Sequence, residues 1–288
     1  MVDVGILGVE LLNSISALLI LVLVALGMAI IMGLMGIINL AHGEFFTCGA
    51  YSVYLLTEVG VNYWIALLLA TGIVAFIGFL IERGIIRFVY GRLLESILVT
   101  WGVGLIIREG IRVILGAGFK YVALPLPGNW SIGAFSYPIQ YTVTMAVSLI
   151  MILFTYVVIY RTDFGLKVRA VMQNREIAST LGINPSRIYS VTFAFGAALA
   201  GLAGAIMSPL INIFPEVGLN YLASSFLIVI MGGLGGLTGM VIAGIIVGEL
   251  QSWVSFLLSG VWAQVLVFIL AILVIRLRPE GILPTKGT

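Results

Sequence analysis

The chain has 288 residues, of which 61% are hydrophobic and 9% charged, and its formal net charge is +2. A soluble domain carries about 25% charged residues, so this composition cannot cover a surface that faces water. We therefore expect an integral membrane protein, built of helices rather than a β-barrel because its apolar runs are continuous and not alternating.

Apolar runs of about 20 residues follow one another along the chain, and each could span a hydrocarbon core as a helix. Between about 220 and 250 the apolar sequence is interrupted by glycines. The predicted fold is an all-α polytopic membrane protein with about 7–9 transmembrane helices in a single domain over residues 1–288. We expect helices at about 11–32, 34–57, 62–82, 94–115, 138–160, 189–212 and 256–276.

The second predicted helix contains an interruption near 36–45, in the stretch GIINLAHGE. On an unbroken helix His42 and Glu44 point about 200° apart, and an ionised group at the bilayer centre costs about 3 kcal/mol. Gly43 between them favours a break. Three interpretations stay open: with Asn39 they line a translocation path, they bond to the freed backbone of the break, or they lie hydrated near the cytoplasmic interface.

His42 is the only histidine and Cys48 the only cysteine in the chain. An internal disulfide and a metal centre of His and Cys ligands are therefore excluded. An intramembrane enzyme with His42 and Glu44 as acid and base lacks a convincing nucleophile. There is also no GxxxxGK[ST] loop, so we expect no nucleotide hydrolysis by this chain.

The fourth predicted helix carries several polar residues. Thr100 lies in its middle and is a candidate for the translocation path. Arg108, Glu109 and Arg112 fall at its outer end, where long side chains extend to the headgroups or could form a docking surface for an extracellular binding protein. Glu109 and Arg112 are three residues apart and can pair on one helix face.

Basic residues predict the orientation. They cluster at 83–92, at 161–188 and at 276–286. The positive-inside rule places these segments in the cytoplasm, which puts the N-terminus outside and the C-terminus in the cytoplasm. The chain must then cross an odd number of times after about 219, either as one helix plus a re-entrant hairpin or as three short spans.

The run MGGLGGLTG at 231–239 is the second predicted break. Non-helical backbone persists within a membrane only where it is buried in protein or lines a polar cavity. Gly232 and Gly235 are therefore candidates for a packing face or for the translocation path.

The cytoplasmic loop at about 161–188 contains REIASTLG, which predicts a short helix that ends at Gly182. The spacing Glu176-x-Ala178-x-x-x-Gly182 resembles the EAA-x-x-x-G loop of bacterial ABC importer permeases. The resemblance implies that Arg175, Glu176, Ala178 and Gly182 belong to a coupling helix that sits in a cleft of an ATP-binding subunit.

Longer phrases extend this resemblance over most of the chain. R-T-x-F-G at 161–165, A-x-x-L-G-I-N at 178–184 and the N-x-A-H-G-E phrase at 39–44 are similar to permeases of the branched-chain amino acid and amide uptake class. The resemblance implies a non-enzymatic permease in a bacterial inner membrane, with no cofactor and no nucleic acid. Its partners would be a second homologous permease, two ATP-binding subunits that bind ATP and magnesium, and an extracytoplasmic solute-binding protein.

Two segments bear on the identity of the solute. The sequence YGRLLESILVTWG at 90–102 and the tail at 278–287 are both similar to phrases of urea-transport permeases. On that resemblance we expect urea or short-chain amides. A branched-chain amino acid importer is the alternative. A passive channel is more remote, because a channel needs no cytoplasmic docking helix.

Overall fold

The computed structural model describes residues 4–132, 135–233, 237–278 and 281–283. A 3-10 helix, Ile86–Val89, follows α3, and strands β1 (Asn129–Ile132) and β2 (Phe135–Pro138) pair as an antiparallel hairpin before α5. The helices are α1 (Val4–Met35), α2 (His42–Glu58), α3 (Tyr63–Gly84), α4 (Leu93–Leu115), α5 (Ile139–Arg161), α6 (Asp163–Gln173), α7 (Arg175–Thr180), α8 (Pro185–Met207), α9 (Val217–Gly232), α10 (Leu237–Leu257) and α11 (Gly260–Leu277).

Six helices within the described part are long and apolar enough to cross a membrane: α1, α3, α5, α8, α10 and α11. α4 is equally long but carries four charged residues, and α2 and α9 are apolar but have only 17 and 16 residues. The all-α polytopic fold is confirmed, with these six candidate spans and the shorter apolar helix α9. Residues 217–277 form three helices, α9, α10 and α11, of which α10 and α11 have the length and composition of a membrane span and α9 is a shorter apolar helix.

The centre of the bundle is α8, which packs against α1, α2 and α3 through small residues. Gly49 on α2 meets the Gly201 backbone, and Gly204 meets the backbone of Phe46. Small residues allow helix backbones to approach closely where no side chain intervenes. α8 and the inner part of α1 are therefore mostly buried, whereas α11 is mostly exposed at the rim.

Two ends of the bundle differ in charge. The 3-10 helix, α6, α7 and the start of α8 pack together through Val89, Val168, Ala178 and Ile188, and most of the arginines lie on or beside these elements. We call this the arginine-rich end. At the other end, the hairpin end, Lys120 and Ile213 exchange backbone hydrogen bonds of 2.8 and 3.0 Å, which joins the connections that follow α4 and α8.

Several helix bounds differ from those predicted. α1 begins at Val4 rather than near 11, and α8 runs from Pro185 to Met207 rather than from 189 to 212 because Asn184 caps its first turn. α2 begins at His42 rather than near 34. Neither the hairpin nor α6 is predicted by the hydropathy pattern, because each is too short, and too mixed in polarity, to stand out as an apolar run.

Candidate functional site

The first break in the helices lies deep in the bundle. α1 ends at Met35, Gly36 follows with a φ of +62°, and α2 begins at His42. The His42 side chain bonds to the carbonyl of Val24, which lies eleven residues before the end of α1 and therefore about 16 Å along its axis. The non-helical segment 36–41 thus runs back into the bundle, and α2 starts near mid-depth. The predicted interruption near 36–45 is confirmed.

A polar face of α4 lies along this segment. Ser96, Thr100, Gly104 and Arg108 are spaced four residues apart, so they share one face of the helix. Ser96 Oγ accepts a hydrogen bond from the Ile38 N–H at 3.4 Å. Thr100 Oγ1 accepts one from the Leu40 N–H at 3.1 Å. We call these four residues the polar seam. It satisfies backbone groups that would otherwise lie unbonded in the membrane.

Gly104 lets the two chains approach closely at the middle of the polar seam. A Cβ at Gly104 would lie 3.4 Å from the Cα of Ala41. One turn further along, Arg108 donates from Nε to Glu44 Oε1 at 3.1 Å and from an Nη to the same oxygen. The segment and α4 therefore run side by side in the same direction.

The Glu44–Arg108 pair corrects two expectations. Glu44 is fully buried and Arg108 is 15% exposed, so Arg108 turns into the bundle and does not extend to the headgroups. Hydration of His42 and Glu44 at the cytoplasmic interface is also wrong, since both are completely buried near mid-depth. The other pairing proved right, because Arg112 donates to both oxygens of Glu109 at 2.7 Å and also contacts Glu216.

His42 and Glu44 contact different helices. His42 Nε2 is 3.0 Å from the Val24 carbonyl, which can only accept, so Nε2 carries the proton and ties α2 to α1. Glu44 ties α2 to α4 through Arg108. Asn39 Oδ1 accepts a hydrogen bond from the Ala41 N–H at 3.1 Å, which shapes the turn just before α2. Within the described residues, Asn39 Nδ2, His42 Nδ1 and Glu44 Oε2 are buried without a hydrogen-bond partner.

The start of α2 also meets the start of α9. Gly43 packs on the backbone of Gly218, and Thr47 Oγ1 accepts the Gly218 N–H at 3.1 Å. Phe46 and Tyr221 stack with their rings 4.0 Å apart. Both short helices thus begin inside the bundle, and the glycines are where their first turns touch.

The second predicted break separates α9 from α10. Gly232 ends α9, and a Cβ there would lie 2.6 Å from the Cα of Met240, so it is a close packing position. The tail closes over this junction, because the Ile282 N–H donates to the Met231 carbonyl at 2.8 Å. Gly235, the other residue singled out in this run, lies outside the described residues.

The loop at the arginine-rich end contains the short helix that the sequence predicts. Asn174 caps α7 by accepting the N–H groups of Glu176 and Ile177 at 2.9 and 3.0 Å. Ala178 is buried against the bundle, whereas Ile177 is 58% exposed. Gly182 follows the helix with a φ of +81°.

Arg175 lies over the ring of Tyr189 on α8, 5.5 Å from its centroid. Leu181, which follows α7, is 73% exposed. α7 is thus held to the bundle by one face while its other face presents apolar side chains. Four predicted coupling residues, Arg175, Glu176, Ala178 and Gly182, lie together on this helix and its end.

Comparison with known proteins assigns this fold to a class of membrane permeases. The family model described as "Branched-chain amino acid transport system / permease component" matches residues 10–275. The chain therefore belongs to this family of transport-system permease components.

Individual relatives extend over nearly the whole chain. The high-affinity branched-chain amino acid transport system permease protein LivH of Salmonella typhimurium is 30% identical over 278 residues, which cover 91% of this chain and 90% of LivH. The permease protein LivM of the same organism is 24% identical over 298 residues, which cover 91% of this chain and 67% of LivM. The structure of PsaBC from Streptococcus pneumoniae in complex with Fab shares the fold, with a TM-score of 0.53, 14% identity and 97% coverage of both chains.

Proposed function

We propose that this chain is one permease subunit of an ATP-driven importer that carries branched-chain amino acids into a bacterial cell. The observation that carries the proposal is the family match over residues 10–275. The similarity to LivH over nine-tenths of both chains supports the same solute class. The expectation of urea is not supported by these comparisons.

Energy would enter through α7. Its exposed Ile177 and its C-terminal neighbour Leu181 lie at the arginine-rich end, beside the polar and basic residues of α6. Apolar side chains in such surroundings favour a protein partner over lipid. The partner that fits is the cleft of an ATP-binding subunit, which binds ATP and magnesium and moves α7 when the nucleotide is hydrolysed.

The rest of the importer follows from the same assignment. The similarity to both LivH and LivM supports pairing with a second, homologous permease chain. Two ATP-binding subunits would sit at the arginine-rich end. An extracytoplasmic solute-binding protein would deliver the solute at the hairpin end, and this chain itself would carry out no covalent chemistry.

The proposed location is the bacterial inner membrane, with the arginine-rich end in the cytoplasm. Arginine-rich connections are retained on the cytoplasmic side of a membrane. The N-terminus then lies outside, because α1 ends near the arginine-rich end and runs the length of the bundle. The C-terminus would lie inside, because Ile282 contacts the α9–α10 junction.

Urea or short-chain amides remain a second candidate solute. The phrase at 90–102 supports it, and part of this phrase contributes Ser96 and Thr100 to the polar seam. Those two residues bond to backbone of the same chain, so the phrase has a structural role that does not depend on the solute. We therefore favour the amino-acid importer.

Reconstitution in proteoliposomes tests the proposal. Proteoliposomes with the complete set of subunits should take up labelled leucine only when ATP is supplied on the side of the membrane that the ATP-binding subunits face. Unlabelled urea should not compete with leucine uptake. Omission of this chain is the control. Accumulation of urea but not leucine would show that the solute is urea and not a branched-chain amino acid. Solute flux through this chain alone would support a passive channel.

A further inference from the structure

A cavity of about 810 Å³ lies near the hairpin end, between α1, α9, α10 and the connection that precedes α9. Sites for small molecules commonly have volumes of about 300–1,000 Å³. The lining is shared by these three helices, by Tyr141 of α5 and Met207 of α8, and by the connection, so it is a feature of the tertiary structure. Its main polar side chains are Glu10, Asn13, Asn212, Asn220, Gln251 and Ser252.

The depth of the cavity can be read along α1 and α10, which run antiparallel. Ser252 Oγ donates to Glu10 at 2.9 Å, and Ser14 Oγ donates to Glu249 at 3.1 Å. Further in, Gly248 lies against the backbone of Leu18. The successive pairs show that residues with higher numbers on α1 lie closer to the arginine-rich end.

Polarity changes with depth in the cavity. Glu10 and Asn13 line its outer part on α1, whereas Ile20 and Leu21 line it about 14 Å further in. On α10, Gly248 at the inner level contributes no side chain, while Ser252 lies at the outer level. Along α1 the lining is therefore polar towards the hairpin end and apolar towards the middle of the bundle. Phe214 and Phe256 add apolar surface at the outer level, and Asn220 adds an amide at the start of α9.

The charge of the cavity is negative. Among the described residues that line it, Glu10 alone carries a charge, and it is 9% exposed. Its carboxylate is held by Ser252. Amide groups supply the remaining polarity, and the Gln251 Oε1 accepts a hydrogen bond from Ser224, which keeps the Gln251 NH₂ as a donor.

This combination matches one chemical class. We propose that the cavity is a solute site for α-amino acids with apolar side chains, in which Glu10 pairs with the ammonium group and the apolar inner part receives the side chain. The amides of Asn13 and Gln251 then donate to the solute carboxylate. A neutral diamide such as urea uses neither the charge of Glu10 nor the apolar part. The inference rests on the proposed function and names its solute site within this chain.

The test uses the assembled complex of permease and ATP-binding subunits, with Cys48→Ala as background and Ser255→Cys, at the cavity lining, as a labelling reporter. L-Leucine should slow maleimide labelling. Urea, and 4-methylpentanoate, which lacks the ammonium group, should need about tenfold higher concentrations or more, because truncating one partner of a buried charge pair weakens binding by at least that factor. Val59→Cys, exposed between α2 and α3, is the control that leucine should not protect.

A charge variant then assigns the ammonium contact. Glu10→Gln should remove the preference for leucine over 4-methylpentanoate, while Glu58→Gln, the same change on an exposed residue outside the cavity, should keep it. Because the series of solutes is first measured with Glu10 intact, the test stands even if Glu10→Gln fails to fold.

ATP-dependent leucine uptake by the same preparation separates the two proposals. Normal leucine uptake with no protection of Ser255→Cys, or with equal protection by all three solutes, overturns the cavity site and leaves the importer intact. Uptake of urea without leucine, with urea protecting best, overturns the proposed function and the site together. Protection that follows leucine and depends on Glu10 supports both.

Discussion

At the scale of single residues, the pair of Glu44 and Arg108 decides how the first break is held. Either charge alone would lie in a medium that solvates it poorly, and together they neutralise each other. A buried pair of this kind contributes more to a defined geometry than to net stability. Here it fixes the start of α2 against α4, about two turns of α4 beyond Thr100.

The pair makes a prediction about stability. Arg108→Gln leaves the Glu44 carboxylate buried without its counter-ion, and we expect a loss of about 3–5 kcal/mol, as for other broken buried pairs. In detergent this should appear as a clearly lower midpoint of thermal unfolding. The double variant Glu44→Gln with Arg108→Gln should recover much of the loss, because no lone charge remains. A double variant as unstable as Arg108→Gln would contradict the pairing.

The polar residues of the break can be named from the sequence, but their partners cannot. A histidine and a carboxylate two residues apart in apolar sequence are enough to indicate an interrupted helix. The position of Arg108 near the end of its span predicts contact with the headgroups, and this prediction is wrong. The four-residue spacing of Ser96, Thr100, Gly104 and Arg108 is visible in the sequence, but which element that face contacts depends on tertiary packing.

At the scale of helices, the contact between α2 and α8 leaves no room for a side chain. A Cβ at Gly49 would collide with the Gly201 carbonyl. Gly49→Leu should therefore separate the two helices. Overpacking typically costs about 1–3 kcal/mol, and here we expect a larger loss of stability. Size-exclusion profiles in mild detergent should show aggregated protein.

Gly72 provides the matched control for this prediction. It lies in α3, and a Cβ there meets nothing within 4 Å. Gly72→Leu adds the same atoms on an exposed face, so it should give a monodisperse protein. Equal behaviour of the two variants would show that the α2–α8 contact tolerates separation.

The end of α7 gives a prediction about coupling. Gly182→Arg places a large charged side chain beside the exposed face of α7 and should uncouple ATP hydrolysis from leucine uptake, with uptake falling about tenfold or more. Gly60→Arg is the control, because Gly60 has nearly the same φ, +85° against +81°, and lies after α2 in open space. Each variant carries the same backbone strain, so normal coupling in Gly182→Arg would argue against docking of α7.

Hydropathy locates the helices well but not all of their ends. The segment 34–41 is apolar enough to be taken as the start of α2, yet residues 36–41 are non-helical backbone that the polar seam satisfies. α9 likewise starts beside α2 inside the bundle and not at a surface. Composition alone cannot show that a neighbouring helix supplies hydrogen bonds at mid-depth.

At the scale of the whole molecule, the two ends are defined by packing as well as by charge. The 3-10 helix, α6, α7 and the start of α8 share one cluster, and backbone bonds join the connections at the opposite end. The basic residues at 83–92 and 161–188, predicted to share one side of the membrane, thus lie at one end of the bundle. The cavity with Glu10 could not be predicted, because its lining comes from segments more than 200 residues apart.

Thiol labelling in spheroplasts checks which end faces the cytoplasm. The background is Cys48→Ala, since Cys48 is the one cysteine of the chain. Val59→Cys reports on the hairpin end, where the Val59 side chain is 77% exposed, and Gln173→Cys reports on the exposed C-terminal end of α6. A membrane-impermeant maleimide should label Val59→Cys in spheroplasts and Gln173→Cys only after the membrane is permeabilised. The reverse pattern would invert the proposed orientation and place α7 beyond the reach of any cytoplasmic ATPase, so the importer mechanism itself would fail with it.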